Sequence, residues 1–356
     1  MRRALALAER AMFTTTPNPR VGCVIVQDGR VIGEGFTQPA GQDHAEVQAM
    51  KDARTRGESV RGATAYVTLE PCSHYGRTPP CAKGLIEAGV KRVIAAMEDP
   101  NPLVAGRGLT MLRDAGIEVR CGLLEQEARE LNIGFVARMM RGTPWVRLKV
   151  AASLDGKTAL NNGVSQWLTG PAARADGHAW RARACAILTG IGTVREDDPA
   201  LTVREVETTR QPLRIVVDSH LDISPTARVL ANGNALVVCA NGATDRASRL
   251  HDLGVEVLDL PNPNGKVDLS ALLRTLGERQ LNEIHVEAGY KLNGSLLRER
   301  CVDELLTYLA PCIVGDAQGM FNLPALTSLD DKLALSFTDV RMIETDLRVM
   351  ARFKRD

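Results

Sequence analysis

Aromatic residues make up only 4% of the 356 residues, and 44 Lys and Arg stand against 43 Asp and Glu for a formal net charge of +1. These two shortages weigh against the same class of partner. A protein that grips nucleic acid draws it in with a basic field and stacks its bases on aromatic faces. Neither is present in quantity, so a small-molecule partner is favoured. Long apolar runs are missing too, because nothing approaches the roughly 18 uninterrupted apolar residues of a membrane helix. The opening MRRALALAERAM starts like an export signal, but Glu9 and Arg10 cut the apolar run short. It reads as an amphipathic helix instead.

Eight cysteines, at 23, 72, 81, 121, 185, 239, 301 and 312, are scattered through a chain with no visible export signal. Reduced thiols in a cytoplasmic protein are therefore expected, and metal binding outranks disulfides. Cys23 in RVGCVIV and Cys239 in LVVCA sit in apolar company, as buried small hydrophobes do.

The length exceeds what one ordinary core supports, so two domains are expected. In the first, VGCVIVQDGRVIGEGF holds two apolar runs around Asp28-Gly29, a hairpin signal. A helix over HAEVQAMKDARTRG and a strand at ATAYVTL follow. After a cysteine-bearing stretch come helix CAKGLIEAG, strand KRVIAAM, helix GLTMLRDAG, strand IEVRCG and one long helix, EQEARELNIGFVARMM. RGTP at 141–144 ends that helix, which places the domains at 1–143 and 144–356. The second has strands WVRLKVAAS, LRIVVDS, ALVVCA, VEVLDL, EIHVEAG and ELLTYLAP between helical or loop segments. Both are α/β.

The chemistry concentrates in DHAEVQAM and EPCSHYGRTPPC. Catalytic zinc takes three protein ligands and keeps one position open for water. His44, Cys72 and Cys81 supply an imidazole and two thiolates. Glu46, a carboxylate outside that ligand set, is the candidate proton shuttle. Zinc-dependent nucleobase deaminases follow this scheme with H-x-E and then P-C-x-x-C, whereas here SHYGRTPP separates the two cysteines. A loop must fold back so that Cys81 can open a helix. A structural zinc closed by His74 is the alternative, as in a non-catalytic regulator.

TPNPRVGCVIV, HAEVQAM, GATAYVTLEPCSHYGRTPPCA and EDPNPLVAGRG resemble the deaminase half of the bifunctional riboflavin-biosynthesis deaminase/reductase family. The similarity continues through KVAASLDGKTA, SQWLTG, DDPALTVR, RIVVDS and VEAG. It implies a cytidine-deaminase-like three-layer α/β/α domain followed by a dihydrofolate-reductase-like α/β domain. It also implies two reactions. The first is hydrolytic deamination of a diaminopyrimidine carrying a ribosylamino 5′-phosphate; the second is reduction of the ribosyl group to ribityl with NADPH. The resemblance assigns His44, Cys72 and Cys81 to zinc and Glu46 to proton transfer. Asn18 would hydrogen-bond the pyrimidine, and Arg77 is a phosphate contact suited to a guanidinium fork. A nucleic-acid base deaminase fused to an unrelated α/β domain is the rival reading.

The second domain has no complete dinucleotide fingerprint: GIGTVR carries arginine where the third glycine belongs. EIHVEAGYKLNGSLLRER offers a strand, a glycine and a helix whose free amides suit a phosphate. The resemblance then implies cofactor contacts at Ala151, Trp167, Thr193, Asp197, Ser219, Gly289, Tyr290, Lys291, Leu292, Asn293, Gly294 and Ser295. It implies substrate contacts at Ser165, Arg181, Leu201, Arg204 and Glu287. Lys149 and Asp155 lie nearby, but no proton donor is assigned. A homo-oligomer, dimer or tetramer, is expected.

Overall fold

The protein is described here from a computed structural model covering residues 1–73, 79–102, 104–242 and 244–354. It divides into two compact units, Met1–Gly142 and Thr143–Asp356. In chain order the first holds α1 (Arg2–Glu9), β1 (Gly22–Gln27), β2 (Arg30–Phe36), α2 (Ala45–Thr55), β3 (Thr64–Val67) and α3 (Cys81–Glu87). It continues with β4 (Arg92–Ala95), α4 (Arg107–Asp114), β5 (Glu118–Cys121), α5 (Glu125–Leu131) and α6 (Ile133–Arg141). The sheet order is β2-β1-β3-β4-β5. Strand β1 runs antiparallel to both neighbours, and β3, β4 and β5 are parallel.

The hairpin forms where expected, with Asp28 at φ 50° and Gly29 at φ 76°. Two positive φ angles define the turn whose twist matches a β-ribbon. The glycines of these strands bring helices in at backbone distance. A Cβ on Gly22 would stand 1.9 Å from the carbonyl oxygen of Ala4 in α1. On Gly35 it would stand 2.4 Å from the Ala45 carbonyl oxygen and 2.5 Å from the Ala49 nitrogen, both in α2. Gly35 pairs with Cys23, the neighbour of Gly22. Adjacent strand residues face opposite ways, so α1 and α2 cover opposite faces and the unit has three layers.

The long helix expected over 125–140 is instead two helices, α5 and α6. They break at Asn132, whose φ is −110°. The buried Asn132 amide explains the break. Its Oδ1 accepts from the Arg20 N–H at 2.7 Å, and its Nδ2 donates to the Arg20 carbonyl at 2.9 Å. The side chain thus pairs with a distant backbone as a strand would.

The second unit opens with β6 (Trp145–Ser153), β7 (Lys157–Ala159), α7 (Pro171–Arg183), β8 (Ala186–Gly190), α8 (Ile191–Asp197), β9 (Leu213–Val217) and β10 (Ala235–Cys239). Next come α9 (Asp245–Asp252), β11 (Glu256–Asp259), α10 (Leu269–Glu278), β12 (Glu283–Val286), α11 (Tyr290–Arg298), β13 (Glu304–Ala310) and β14 (Gln318–Gly319). It closes with β15 (Leu335–Ile343) and β16 (Asp346–Phe353). Nine strands form one sheet, β11-β10-β9-β8-β12-β6-β13-β16-β15, and β7 with β14 makes a small ribbon. The sheet is parallel as far as β13, after which β16 and β15 run antiparallel.

Strand β8 and the β15–β16 hairpin were not legible in the sequence. A register shift between Phe337 and Asp339 breaks β15's alternation, so exposed Leu335 and Phe337 are followed by exposed Val340 and Met342. The apolar period changes from odd to even positions in mid-strand. Beneath α7, Arg147 is buried between Glu304 at 2.7 Å and Glu283 at 3.3 Å. The Trp180 ring covers it at 4.3 Å. Removing one partner from such a buried set costs about 3–5 kcal/mol.

Gly35→Ala is expected to destabilise the first unit by about 1–3 kcal/mol, since α2 must move off the sheet to admit a methyl group. Denaturant unfolding measures this, and a variant as stable as the parent would show that α2 does not rest on that glycine.

Candidate functional site

His44 precedes the first turn of α2 in an extended conformation (φ −76°, ψ 165°), and Glu46 lies inside that turn. Cys72 follows β3, and Cys81 is the first residue of α3. Nδ1 of His44 stands 3.7 Å from the Cys72 sulfur and 3.3 Å from the Cys81 sulfur. All three ligand atoms fall within 4.8 Å of one another. Tetrahedral zinc with ordinary Zn–S and Zn–N bonds separates sulfur from nitrogen by about 3.6 Å. The trio has the spacing that zinc requires.

Its electrostatics point the same way. The Cys72 thiol is driven down to about 4, first by a hydrogen bond from Cys81 and then, against the cost of burial, by His44. The Cys81 backbone N–H also donates to the Cys72 sulfur, at 3.3 Å. The Cys81 thiol is driven up, first because it gives its proton to Cys72 and then by burial. The sulfurs share one proton, and a dication bound among them would replace it and leave two thiolates. The hydrogen bond to Cys72 raises His44. Glu46 is 4% exposed and pushed up to about 7, first by burial and then by the charge of Cys72. It lies close enough to Cys81 for the two to perturb each other, so it sits against the ligand set without belonging to it.

One residue that the sequence reading passed over holds the cysteine corner in place. The buried carboxylate of Glu70, two residues before Cys72, accepts from the N–H groups of Asp99 at 3.0 Å, Gly106 at 2.9 Å, Gly108 at 2.7 Å and Leu109 at 3.3 Å. The four amides lie in the loop after β4 and at the start of α4, so Glu70 ties that segment to the Pro71-Cys72 turn. Only its nearness to Cys72 could have signalled this. Asn18 lies half-buried in the turn before β1, its N–H donating to the Thr15 carbonyl at 2.9 Å. Arg77 and His74 lie outside the described residues.

In the second unit Ser219 and Glu287 stand just past the carboxyl ends of β9 and β12, the ends at which open α/β sheets bind ligands. The Arg181 guanidinium grips the Glu287 carboxylate through two hydrogen bonds, one of them 2.8 Å. That grip holds Glu287 well below the usual carboxylate range against the opposing effect of burial. Arg181 also donates to the Thr202 carbonyl at 3.1 Å, and Arg204 donates to the Thr202 hydroxyl at 3.1 Å. Leu201 is buried at φ 48° beside them. Ala151 lies opposite Tyr308 across β6 and β13. Burial lowers Lys149, against the pull of Glu287.

Ser165 is half-buried, and Trp167 is 69% exposed with Arg174 stacked on its ring at 4.7 Å. Gln166 donates to Asp197 at 3.1 Å, which joins the Trp167 segment to the end of α8. Gly289 caps α11 close to Thr193. The first intrahelical bond runs from the Asn293 N–H to the Gly289 carbonyl at 3.1 Å. Tyr290, Lys291 and Leu292 therefore present the helix's first amides, while Ser295 donates to the Lys291 carbonyl at 3.2 Å. Asn293 and Gly294 are buried against Met320 and Asn322. Ser219 accepts from the Val267 N–H at 3.3 Å.

An imidazole–dithiolate centre with a buried carboxylate, joined to an α/β unit with a helix-capping glycine turn, defines a two-headed enzyme: a zinc deaminase and a reductase. Residues 1–97 match the cytidine and deoxycytidylate deaminase zinc-binding region, and residues 144–349 match the RibD C-terminal domain. The riboflavin biosynthesis protein RibD of Escherichia coli (strain K12) is 49% identical over 360 residues, which cover 98% of this chain and 96% of that protein. That of Aquifex aeolicus (strain VF5) is 41% identical and covers 100% of this chain and 97% of its own. Acinetobacter baumannii RibD superposes with a TM-score of 0.91 at 43% identity, covering 99% of this chain and 98% of that one. The Thermotoga maritima diaminohydroxyphosphoribosylaminopyrimidine deaminase/5-amino-6-(5-phosphoribosylamino)uracil reductase does so at 0.90 and 35%, covering 99% and 97%. The chain belongs to the RibD family. It is a bifunctional enzyme of riboflavin biosynthesis, and its cofactors are zinc and NADPH.

Cys81→Ser is expected to release zinc, because an alcohol does not ionise near neutral pH to replace a thiolate. Elemental analysis of the purified variant checks this; retained stoichiometric zinc would remove Cys81 from the ligand set.

Proposed function

We propose that the first unit, residues 1–143, deaminates a diaminopyrimidine bearing a ribosylamino 5′-phosphate, and that residues 144–356 reduce the ribosyl group of the product to ribityl. His44, Cys72 and Cys81 hold the zinc, which supplies Lewis acidity and makes water nucleophilic near neutral pH. Glu46 takes a proton from that water at its carboxylate and returns it to the departing amine. The observation that carries this reading is a buried carboxylate set against a triad that, among the described residues, offers three protein ligands. Burial pushes Glu46 up to about 7, into the range where one group can both accept and return a proton. Asn18 hydrogen-bonds the pyrimidine, and Arg77 contacts the phosphate.

In the second unit, NADPH supplies the hydride. Ala151, Trp167, Thr193, Asp197, Ser219 and the turn from Gly289 to Ser295 bind it, with the free amides at the start of α11 aimed at phosphate. Ser165, Arg181, Leu201, Arg204 and Glu287 receive the sugar phosphate. The Arg181 grip fixes the Glu287 carboxylate and keeps it charged. That arrangement orients the sugar hydroxyls as proximity catalysis requires.

The partner is a small phosphorylated pyrimidine rather than nucleic acid or membrane. The balanced charge supports this, as does the finding that no helix among the described residues is long and apolar enough to cross a membrane. The protein acts in the cytoplasm, consistent with eight free cysteines. It assembles as a dimer or tetramer, a reading supported by the exposed Phe337, Val340 and Met342 on the edge strand β15.

With the phosphorylated diaminopyrimidine as substrate, Glu46→Gln is expected to abolish ammonia release while zinc is retained. The same variant should still oxidise NADPH when given the deaminated compound. Ammonia release at the parental rate would remove Glu46 from the reaction.

A further inference from the structure

His178 belongs to α7, one turn before Arg181 on the same helical face. No reading of the sequence singled it out. Its ring is buried, yet both nitrogens are engaged by one exposed residue. The Arg204 backbone N–H donates to Nδ1 at 3.2 Å, and Nη2 of the Arg204 guanidinium stands 3.5 Å from Nε2. These two contacts cannot both be hydrogen bonds. A backbone amide and a guanidinium only donate, while a neutral imidazole has one acceptor nitrogen and one N–H. The shorter contact fixes Nδ1 as the acceptor, so the proton is on Nε2 and points at another donor. Were the tautomer reversed, the opposed donors would simply be at Nδ1.

A protonated ring would oppose donors at both nitrogens. Its surroundings also keep it neutral: burial first, then the charges of Arg181 and Arg204, hold His178 down to about 4, against the weaker pull of Glu287 and Glu205.

Two donor nitrogens 3.5 Å apart can both be satisfied by one anionic oxygen seated beside the pair, at hydrogen-bond distance from each. Arg181 and Arg204 already meet at Thr202, one at its carbonyl and one at its hydroxyl. Arg181 is committed to Glu287, so Arg204 is the guanidinium with capacity to spare for an incoming anion. We propose that His178 is a further substrate-binding residue of the reductase, its Nε2–H and the Arg204 guanidinium together taking one oxygen of the sugar 5′-phosphate. This rests on the reading of Arg204 as a substrate contact. A neutral imidazole also gives the subsite a specific character. It rewards an oxygen acceptor in a fixed direction without adding positive charge that would hold any passing anion.

The test compares the deaminated substrate with and without its 5′-phosphate in the full-length enzyme. His178→Phe is expected to raise KM for the phosphorylated substrate about tenfold or more. It should leave kcat unchanged and leave KM for the phosphate-free nucleoside at its parental value. His178→Gln keeps an acceptor for the Arg204 amide and a donor for phosphate, so it is expected to restore most of the discrimination. Inorganic phosphate gives a reading free of turnover. It should shift the His178 ring resonances of the parent enzyme and compete less well against substrate in His178→Phe. Equal losses for both substrates, or no loss for either, would overturn the proposal and leave His178 as packing. Arg204→Ala run in parallel separates the two readings. If it too leaves the phosphate preference intact, the phosphate lies elsewhere and the assignment of Arg204 fails first.

Discussion

Two sulfurs and an imidazole crowded together carry their charges stably only around a cation, and the first unit is built to impose that crowding. Left without one, the two sulfurs cannot both carry charge, and one thiol is driven down while its neighbour is driven up. The crowding is set by backbone packing rather than by the ligands. Helix α2 rests on Gly33 and Gly35 so closely that no side chain fits beneath it, and this fixes where His44 and Glu46 stand. Helix α3 begins at Cys81, while Glu70 secures the turn that carries Cys72. Three separate pieces of chain are thereby brought to one point. Glu46 follows from the same packing, since its carboxylate is buried on the face that also holds Cys23, and both groups are raised by that burial.

The second unit meets a different demand, the reception of two polar ligands on a sheet whose strands are otherwise buried. It accepts charge in the interior and pairs it. Arg147 with Glu283 and Glu304 lies deep under α7, and Arg181 with Glu287 lies toward the carboxyl ends of the strands. Pairs of this kind add little net stability, but they fix geometry, because breaking one exposes an uncompensated charge. Helix α7 is common to both pairs. Arg183 reaches Glu283 at the start of β12, Arg181 reaches Glu287 just past its end, and the same helix brings His178 to the Arg204 loop.

The zinc centre was legible because its ligands are of unmistakable chemical type and appear in chain order at helix openings. So, apart from β8, were the parallel strands, whose β-branched runs are short and continuous, and the Asp28-Gly29 turn. What escaped depended on distant partners. Asn132 looks like any helix residue until Arg20, 112 positions away, is found pairing with it. The β15 alternation was hidden by a bulge that changes its parity. Glu70 has amide partners, and amides carry no side-chain signature. His178 reads as one more residue of an amphipathic helix, and its role depends on the tautomer forced by a loop 26 positions on.

The Glu70 clamp also bears on how the chain matures as it is made. The amides it gathers belong to residues 29 to 39 positions downstream. While the ribosome is still adding those residues, the corner holding Cys72 has nothing to close against, although His44 and both cysteines have already been translated. The corner that holds Cys72 is therefore completed only by the segment that opens α4, well after the last ligand has been synthesised.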